Sequence, residues 1–251
     1  MVDKSIKKII EIKKMKRANV YLIPNTLGGE SLSDIIPADV SAIATSLRTF
    51  FVEEIRSARR LLRKMDREFP IDECAFHIMG KSIKEKLPLI LLDLSKRGED
   101  CGVISEAGCP AVADPGAEII SLAHDLNMEV VPLVGPSSIL LALMASGFSG
   151  QQFTFHGYLP RERRDRIKKL KDMEADAFRN GRTHIFMDTP FRNMHVLEDM
   201  VNELSDATPL CIGYNLTLHG AYVKTLSVGE WKQRAVDIAK KPAMFLIGTK
   251  R

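Results

Sequence analysis

Four cysteines stand at positions 74, 101, 109 and 211, and no two form a Cys-x-x-Cys pair. A chain of 251 residues buries enough core to fold without disulfide staples. Free or buried thiols in a reducing compartment are therefore expected. Long apolar runs are also missing, and none reaches the length needed to cross a bilayer. The first residues, Met1-Val2-Asp3-Lys4-Ser5-Ile6-Lys7-Lys8, lack the apolar core and small-residue cleavage site of a secretory leader. A cytoplasmic protein without a membrane partner is the expectation.

Several site patterns are absent as well. The phosphate-binding Gly-x-x-x-x-Gly-Lys-Ser/Thr, the dinucleotide Gly-x-Gly-x-x-Gly, the zinc-binding His-Glu-x-x-His and the nucleophile-elbow Gly-x-Ser-x-Gly do not occur. The six histidines show no metal-ligand spacing, so no metal is expected, and His124 and His195 fall in predicted helices as structural or solvated residues. Aromatic residues make up 6% of the chain, with one tryptophan.

A hydrophobic content of 45% and a charged content of 27% are those of an ordinary globular protein of one large or two modest domains. The net charge of +4 is unevenly spread. Residues 1–17 hold seven Lys/Arg against two Asp/Glu, and residues 161–171 hold seven against two again. Two such segments suit a polyanionic partner. The first reads as an amphipathic helix, with Ile6, Ile9 and Ile10 on one side. It is a docking arm or a nucleic-acid arm. The second predicts a helix over 161–178, with Arg161, Arg164, Lys168 and Lys171 on one face and Ile167, Leu170 and Ala177 on another. Few aromatics flank it, so base stacking is not suggested; the face is either solvated or in contact with phosphate.

Short strands alternate with helices. Strands are expected at 20–23, 49–52, 74–78, 102–105 and 129–133. Helices are expected at 38–46, 53–68 (rich in arginine), 82–96 (kinked or broken at Pro88), 116–126 and 137–146. This alternation predicts a largely parallel α/β sheet. A second unit follows, with strands at 153–156, 183–187, 210–214, 221–227 and 243–247 and helices at 161–178 and 191–204. Its last three strands have little helix between them, which predicts antiparallel or mixed pairing.

The segment Val103-Ile104-Ser105-Glu106-Ala107-Gly108-Cys109-Pro110-Ala111-Val112-Ala113-Asp114-Pro115-Gly116 runs from a strand through a turn of small residues to a helix start. The segment around Val134-Gly135-Pro136-Ser137-Ser138 repeats that plan. Two such junctions belong on one sheet edge, beyond the carboxyl ends of the strands, where open α/β sheets bind ligands. Gly108, Gly116 and Gly135 would let a backbone approach a ligand closely.

These segments, continued by Ala142 to Ser146-Gly147, resemble the tetrapyrrole-methylase superfamily of S-adenosylmethionine-dependent methyltransferases. The likeness is greater to its bacterial branch that methylates a cytidine ribose 2′-hydroxyl in small-subunit ribosomal RNA. Val20 to Gly28 is similar to the opening strand and loop of that branch, and Glu53 to Leu62 to its Glu-Asp-Thr-Arg helix. Phe155-His156-Gly157-Tyr158-Leu159-Pro160 with Arg164 is similar to its Gly-Phe-Leu-Pro segment and basic helix.

The resemblance implies two α/β domains, here 20–134 and 135–251 after a basic extension 1–19, with the methyl donor in a cleft between them and a homodimer as the assembly. It implies donor contacts at Pro24, Ser105, Glu106, Ala107, Gly108, Asp114, Ser137, Ser138, Met187, Pro190 and Ala243. It implies catalytic roles for Glu53 and Arg56, whose residue types alone equally allow an exposed ion-pair face. Arg161, Arg164 and Lys168 would contact the RNA substrate.

Departures fall on the acceptor side. The Glu-Asp pair is Glu53-Glu54 here, with Ile55 for threonine. The polar segment after the third strand is Met79-Gly80-Lys81. Asp188-Thr189-Pro190-Phe191-Arg192 stands for Glu-Ser-Pro-x-Arg, and Asn215-Leu216-Thr217-Leu218 for Glu-Leu-Thr-Lys. A methyltransferase for a tetrapyrrole or other small molecule, or a non-catalytic donor-binding protein, remain the alternatives.

Overall fold

The computed structural model describes residues 17–29, 31–81 and 83–249. The amphipathic segment expected at the start of the chain lies outside them, apart from Arg17. Two α/β units divide between Pro136 and Ser137.

The first unit is a five-stranded parallel sheet in the order β3-β2-β4-β1-β5. Its strands are β1 (Asn19–Ile23), β2 (Thr49–Val52), β3 (Ala75–Ile78), β4 (Cys101–Ile104) and β5 (Glu129–Pro132). Helices α1 (Ala38–Ser46), α2 (Ile55–Met65), α3 (Leu87–Arg97) and α4 (Ala117–Asp125) connect them. Every residue of β4 is buried, as a central parallel strand covered on both faces requires. Two apolar clusters cover the sheet. One sets Phe51 and Val103 against Leu87, Leu91 and Ile119. The other sets Phe50 and Ile104 against Ala58, Leu61, Leu62 and Phe69. Each such large side chain taken fully from water contributes about 1.5–3 kcal/mol.

Two helices differ from their sequence expectation. Helix α2 is shorter than 53–68: Glu54 caps its start, and Asp66 turns extended at its end. Pro88 does not kink a helix. It opens one, in the first turn of α3, where its missing N–H leaves no bond unmade. Residues 83–86 are turns.

The second unit holds a mixed sheet in the order β6-β7-β10-β8-β9. Its elements are α5 (Ser138–Ser146), β6 (Phe153–Tyr158), α6 (Arg163–Asn180), β7 (Thr183–Met187), α7 (Asn193–Glu203), β8 (Pro209–Tyr214), β9 (Tyr222–Ser227), α8 (Val228–Lys232) and β10 (Ala243–Ile247). Strands β6 and β7 run parallel, while β7–β10, β10–β8 and β8–β9 are antiparallel, as the scarcity of intervening helix predicted. Its core gathers Phe186, Phe245, Leu170, Met173, Val196 and Trp231.

Helix α6 begins at Arg163, so Arg161 precedes it and does not share its face. The expected row of four basic residues fails at its other end too, because Lys171 Nζ is paired with Glu203 Oε2 at 2.9 Å. Leu170 and Ala177 do pack inward.

The cysteines are free thiols among the described residues, with Cys101 and Cys211 buried. Burial pushes the Cys101 thiol up to about 12 and the Cys211 thiol up to about 11. No helix among the described residues is long and apolar enough to cross a membrane.

Candidate active site

In the parallel sheet of the first unit, the loops after β1, β2, β4 and β5 all leave from the same edge, and side chain and backbone bonds tie them together. Asn25, just after β1, exchanges two backbone hydrogen bonds with Gly108 (2.9 and 3.2 Å). Its buried side-chain amide donates to the carbonyl oxygens of Ser105 (3.2 Å) and Glu106 (2.9 Å). From the end of β2, Glu53 Oε2 accepts the backbone N–H of Glu106 at 3.0 Å. The thiol of Cys109 lies 3.5 Å from the Pro136 carbonyl.

The glycines also serve these loop-to-loop contacts. A Cβ on Gly135 would sit 2.1 Å from the Cβ of Pro24, a distance that no packed pair of carbons tolerates. A Cβ on Gly108 would meet Leu27 at 3.2 Å, and one on Gly116 would meet Ala111 at 3.3 Å. Gly116 also carries φ 137° at the start of α4, a conformation open chiefly to glycine.

The acidic pair separates into two jobs. Glu54 caps α2, accepting the N–H groups of Arg56 (2.9 Å) and Ser57 (2.6 Å). Those two backbone bonds hold its carboxyl below the usual carboxylate range. Glu53 points the other way, to the loop after β4. The substitution of Glu for Asp at position 54 keeps a side-chain acceptor at the cap.

Asp114 completes the group. It is half-buried, and burial pushes its carboxyl above the usual carboxylate value. The charges of Glu53 and Glu106 add to that rise, and a hydrogen bond from Ser105 partly opposes it. Ser105 itself is buried, with its hydroxyl 3.3 Å from the Ala107 carbonyl. Glu106 and Ala107 are exposed. Three carboxylates therefore share one sheet edge, and two of them raise the pKa of the third. A cation placed there would relieve that repulsion. A donor carrying a sulfonium and an ammonium group fits this charge distribution. The backbone N–H of Glu106 is already taken by Glu53, so it is not free to bind the donor's carboxylate.

In the second unit, Met187 ends β7 and pairs in register with Met244, next to Ala243 at the start of β10. The carbonyl of Pro190 accepts the Lys240 N–H at 3.1 Å. The structure thus brings Met187, Pro190 and Ala243 to one edge of the mixed sheet. Two of the departures from the family pattern, at 188–192 and 215–218, lie in this unit as well. Buried Asp188 lies 3.3 Å from Arg192, whose guanidinium also donates to the Pro160 carbonyl (3.0 Å). Asn193 donates to the Lys241 carbonyl (2.7 Å), and Asn215 N–H to the Pro242 carbonyl (3.0 Å). Ser137 and Ser138 cap and open α5, both partly buried.

Arg161, Arg164 and Lys168 are exposed. Their neighbours are not available to a substrate. Arg166 is buried and pairs with Asp199 at 2.6 and 2.7 Å, while it donates to the Arg161 carbonyl at 2.8 Å. Arg163 reaches the same Asp199 at 2.8 Å. Counting charges along the sequence therefore overstates this helix, because Arg163, Arg166 and Lys171 are neutralised by α7.

Asn25 and the Arg166–Asp199 pair are the functional and structural residues that motif reading passed over. The signal for Asn25 was slight, a polar residue placed between Pro24 and a glycine turn. Asp199 carried none, because its partner lies 33 residues away.

A family model described as tetrapyrrole (corrin/porphyrin) methylases matches residues 15–231. The chain belongs to that family. Its enzymes are S-adenosylmethionine-dependent methyltransferases. The chain is 29% identical over 198 residues to the ribosomal RNA small subunit methyltransferase I of Vibrio cholerae, covering 79% of this chain and 65% of that protein. It is 30% identical over 187 residues to the protein of the same name from Bacillus subtilis, covering 74% and 60%. The methylase thus spans under two thirds of either relative's length. Among solved structures, the methyltransferase CobJ superposes with a TM-score of 0.59 over 93% of this chain and 94% of that one, at 16% identity. That likeness supports the two-unit α/β fold.

Proposed function

We propose that this methylase transfers the methyl group of S-adenosylmethionine to a ribose 2′-hydroxyl in small-subunit ribosomal RNA, as a cytoplasmic homodimer. The observation that carries the donor assignment is the meeting of Glu53, Glu106 and Asp114 at the carboxyl edge of the parallel sheet, in a chain of a methylase family. The RNA assignment draws on the names of the relatives and on the unpaired basic side chains.

The donor supplies a methyl group on a cationic sulfur. In the first unit, Pro24, Ser105, Ala107, Gly108 and Asp114 are its contacts. Glu53 acts as a positioning residue that fixes the Glu106 backbone. Arg56, exposed in the first turn of α2, is the cation that stabilises charge developing on the acceptor oxygen. Methyl transfer is an in-line displacement, so most of the acceleration comes from holding donor and acceptor in line. The carbon–sulfur bond breaks as the carbon–oxygen bond forms, and the hydroxyl proton leaves to a base. Arg161, Arg164 and Lys168 contact phosphates of the substrate.

Calorimetric titration with the donor, followed by labelled-methyl transfer to small subunits from a strain lacking the protein, tests both halves. Binding with transfer supports the reading. Binding with transfer only to porphyrin precursors would move the acceptor to a small molecule. No donor binding would leave a non-catalytic relative.

A further inference from the structure

We infer that the face of α2 bearing Arg56, Arg60 and Arg63, with the hydroxyl-lined cavity at the helix end, is a binding track for the phosphate backbone of an RNA strand. Helix α2 contains four arginines and one lysine in eleven residues and no acid. Its buried side, Ala58, Leu61 and Leu62, packs on the sheet. Arg56, Arg60 and Arg63 stand on the opposite face, exposed, and span about 10 Å along the axis.

Arg59 does not belong to this exposed row. It is partly covered and paired with Asp72. Arg60, Arg63 and Arg67 make no ion pair among the described residues. This distinguishes α2 from α6, where α7 neutralises half of the charge.

Where α2 ends, a cavity of about 940 Å³ opens between it, α1 and the loop before α1. Ser31, Ser33, Ser41 and Thr45 line one side and Arg63 and Arg67 the other. Asp66 also faces it, with one carboxylate oxygen occupied by the Glu68 N–H at 2.9 Å. Ser31 and Ser33 already donate their hydroxyls to Asp34, and Thr45 donates to the Ser41 carbonyl, so the guanidinium groups of Arg63 and Arg67, with the Ser41 hydroxyl, are the donors for phosphate oxygens. Apolar lining, which a protein partner would seek, is limited there to Leu32, Ile36, Met65 and two alanines. Arg56 begins the track one turn from Glu53, so a strand following it leads to the loop after β4. The inference rests on RNA being the acceptor, and beyond Arg56 it extends past the Glu-Asp-Thr-Arg motif.

The test is fluorescence anisotropy of a labelled single-stranded RNA with the full chain across a salt series. Each phosphate contact on a single strand contributes about −0.7 to the slope of log K against log salt. Arg60→Gln, Arg63→Gln and Arg67→Gln together should flatten that slope by about 2 and weaken binding about 100-fold at about 0.1 M salt. Arg63 also donates to the Arg67 carbonyl (2.5 Å) at the helix end. The double variant Arg60→Gln with Arg67→Gln spares that bond and should still lose about 25-fold. Donor affinity, measured by calorimetry, should stay within twofold in both. Variants that bind RNA with the wild-type slope would overturn the inference while leaving the proposed function standing. A wild-type chain without salt-dependent RNA affinity would overturn both. An acidic polypeptide that competes equally with RNA would assign the track to a protein partner instead.

Discussion

Glu53 and Glu106, 53 residues apart, are joined by one hydrogen bond, a carboxylate oxygen accepting a backbone N–H at 3.0 Å. That bond fixes the loop after β4 against the end of β2. It also sets two carboxylates beside Asp114, whose charges add to the burial that holds the Asp114 carboxyl above its ordinary value. Glu53→Gln keeps an acceptor for the N–H and removes the charge. It should weaken donor binding about 10-fold, since charge-assisted contacts contribute about 1.5–3 kcal/mol, and change thermal stability little. Glu53→Ala should do both kinds of damage. Equal donor affinity in Glu53→Gln would remove the charge from the account.

Asp114 gives that site a pH dependence. Its native pKa is raised, so its effect on the unliganded fold is favourable below the unfolded value and is lost as pH rises through the native one. A cationic donor needs the carboxylate. Affinity should therefore fall as pH drops through the raised pKa, and donor binding should release a proton there. Asp114→Asn should flatten that profile, weaken donor binding about 10-fold and leave the unliganded chain as stable or slightly more stable at neutral pH. Isothermal titration in buffers of different ionisation enthalpy measures the proton release.

The arginines of α6 should sort by partner. Arg166→Ala leaves the buried carboxylate of Asp199 with only the more exposed Arg163, which should cost about 2–4 kcal/mol and lower the melting temperature by about 10 °C. Arg164→Ala touches no partner among the described residues. It should change stability by less than about 0.5 kcal/mol while reducing transfer to RNA. Melting curves and a transfer assay on both variants decide it.

Gly135→Ala should be destabilising by about 1–3 kcal/mol, because the new methyl overlaps Pro24. Gly147→Ala meets nothing nearby, and its φ of 74° should cost only about 1 kcal/mol. If Gly135 instead made room for a ligand, its alanine variant would lose donor affinity with its melting temperature intact.

His156 and His184 hydrogen-bond through their rings at 2.8 Å, and His184 continues to Asp176 at 2.9 Å. Burial, with Lys169 and His184, lowers His156 to about 4. A depressed pKa contributes stability above the unfolded value of 6.5 that is lost as pH falls towards 4. Replacing His156 by Gln should remove about 1–2 kcal/mol of the pH dependence between those values. Denaturant unfolding of both chains at pH 7 and pH 4.5 measures the difference.

The architecture was legible because its signals are local. Val-rich strands alternate with helices, and the turns at Gly98 and Gly147 close helices with left-handed φ. Helix ends were harder to read. Glu54 is a cap and Pro88 a first-turn residue, and both look like helix interior when periodicity alone is followed. The site was legible where motif and loop coincide, at Ser105 to Gly116. The tie from Asn25 to Glu106 spans 81 residues, and no spacing rule reports it. Charge runs were least reliable: on α6 Arg163, Arg166 and Lys171 are paired with Asp199 and Glu203, while Arg56, Arg60 and Arg63 of α2 make no ion pair among the described residues.

The most direct measurement of the central claim is the position of a labelled methyl group after incubation of the purified chain, S-adenosylmethionine and small subunits from a strain lacking it. Label recovered on a ribose 2′-oxygen of the small-subunit RNA, and lost with Asp114→Asn, is the expected result. A chain that binds the donor but leaves that RNA unlabelled would contradict the account.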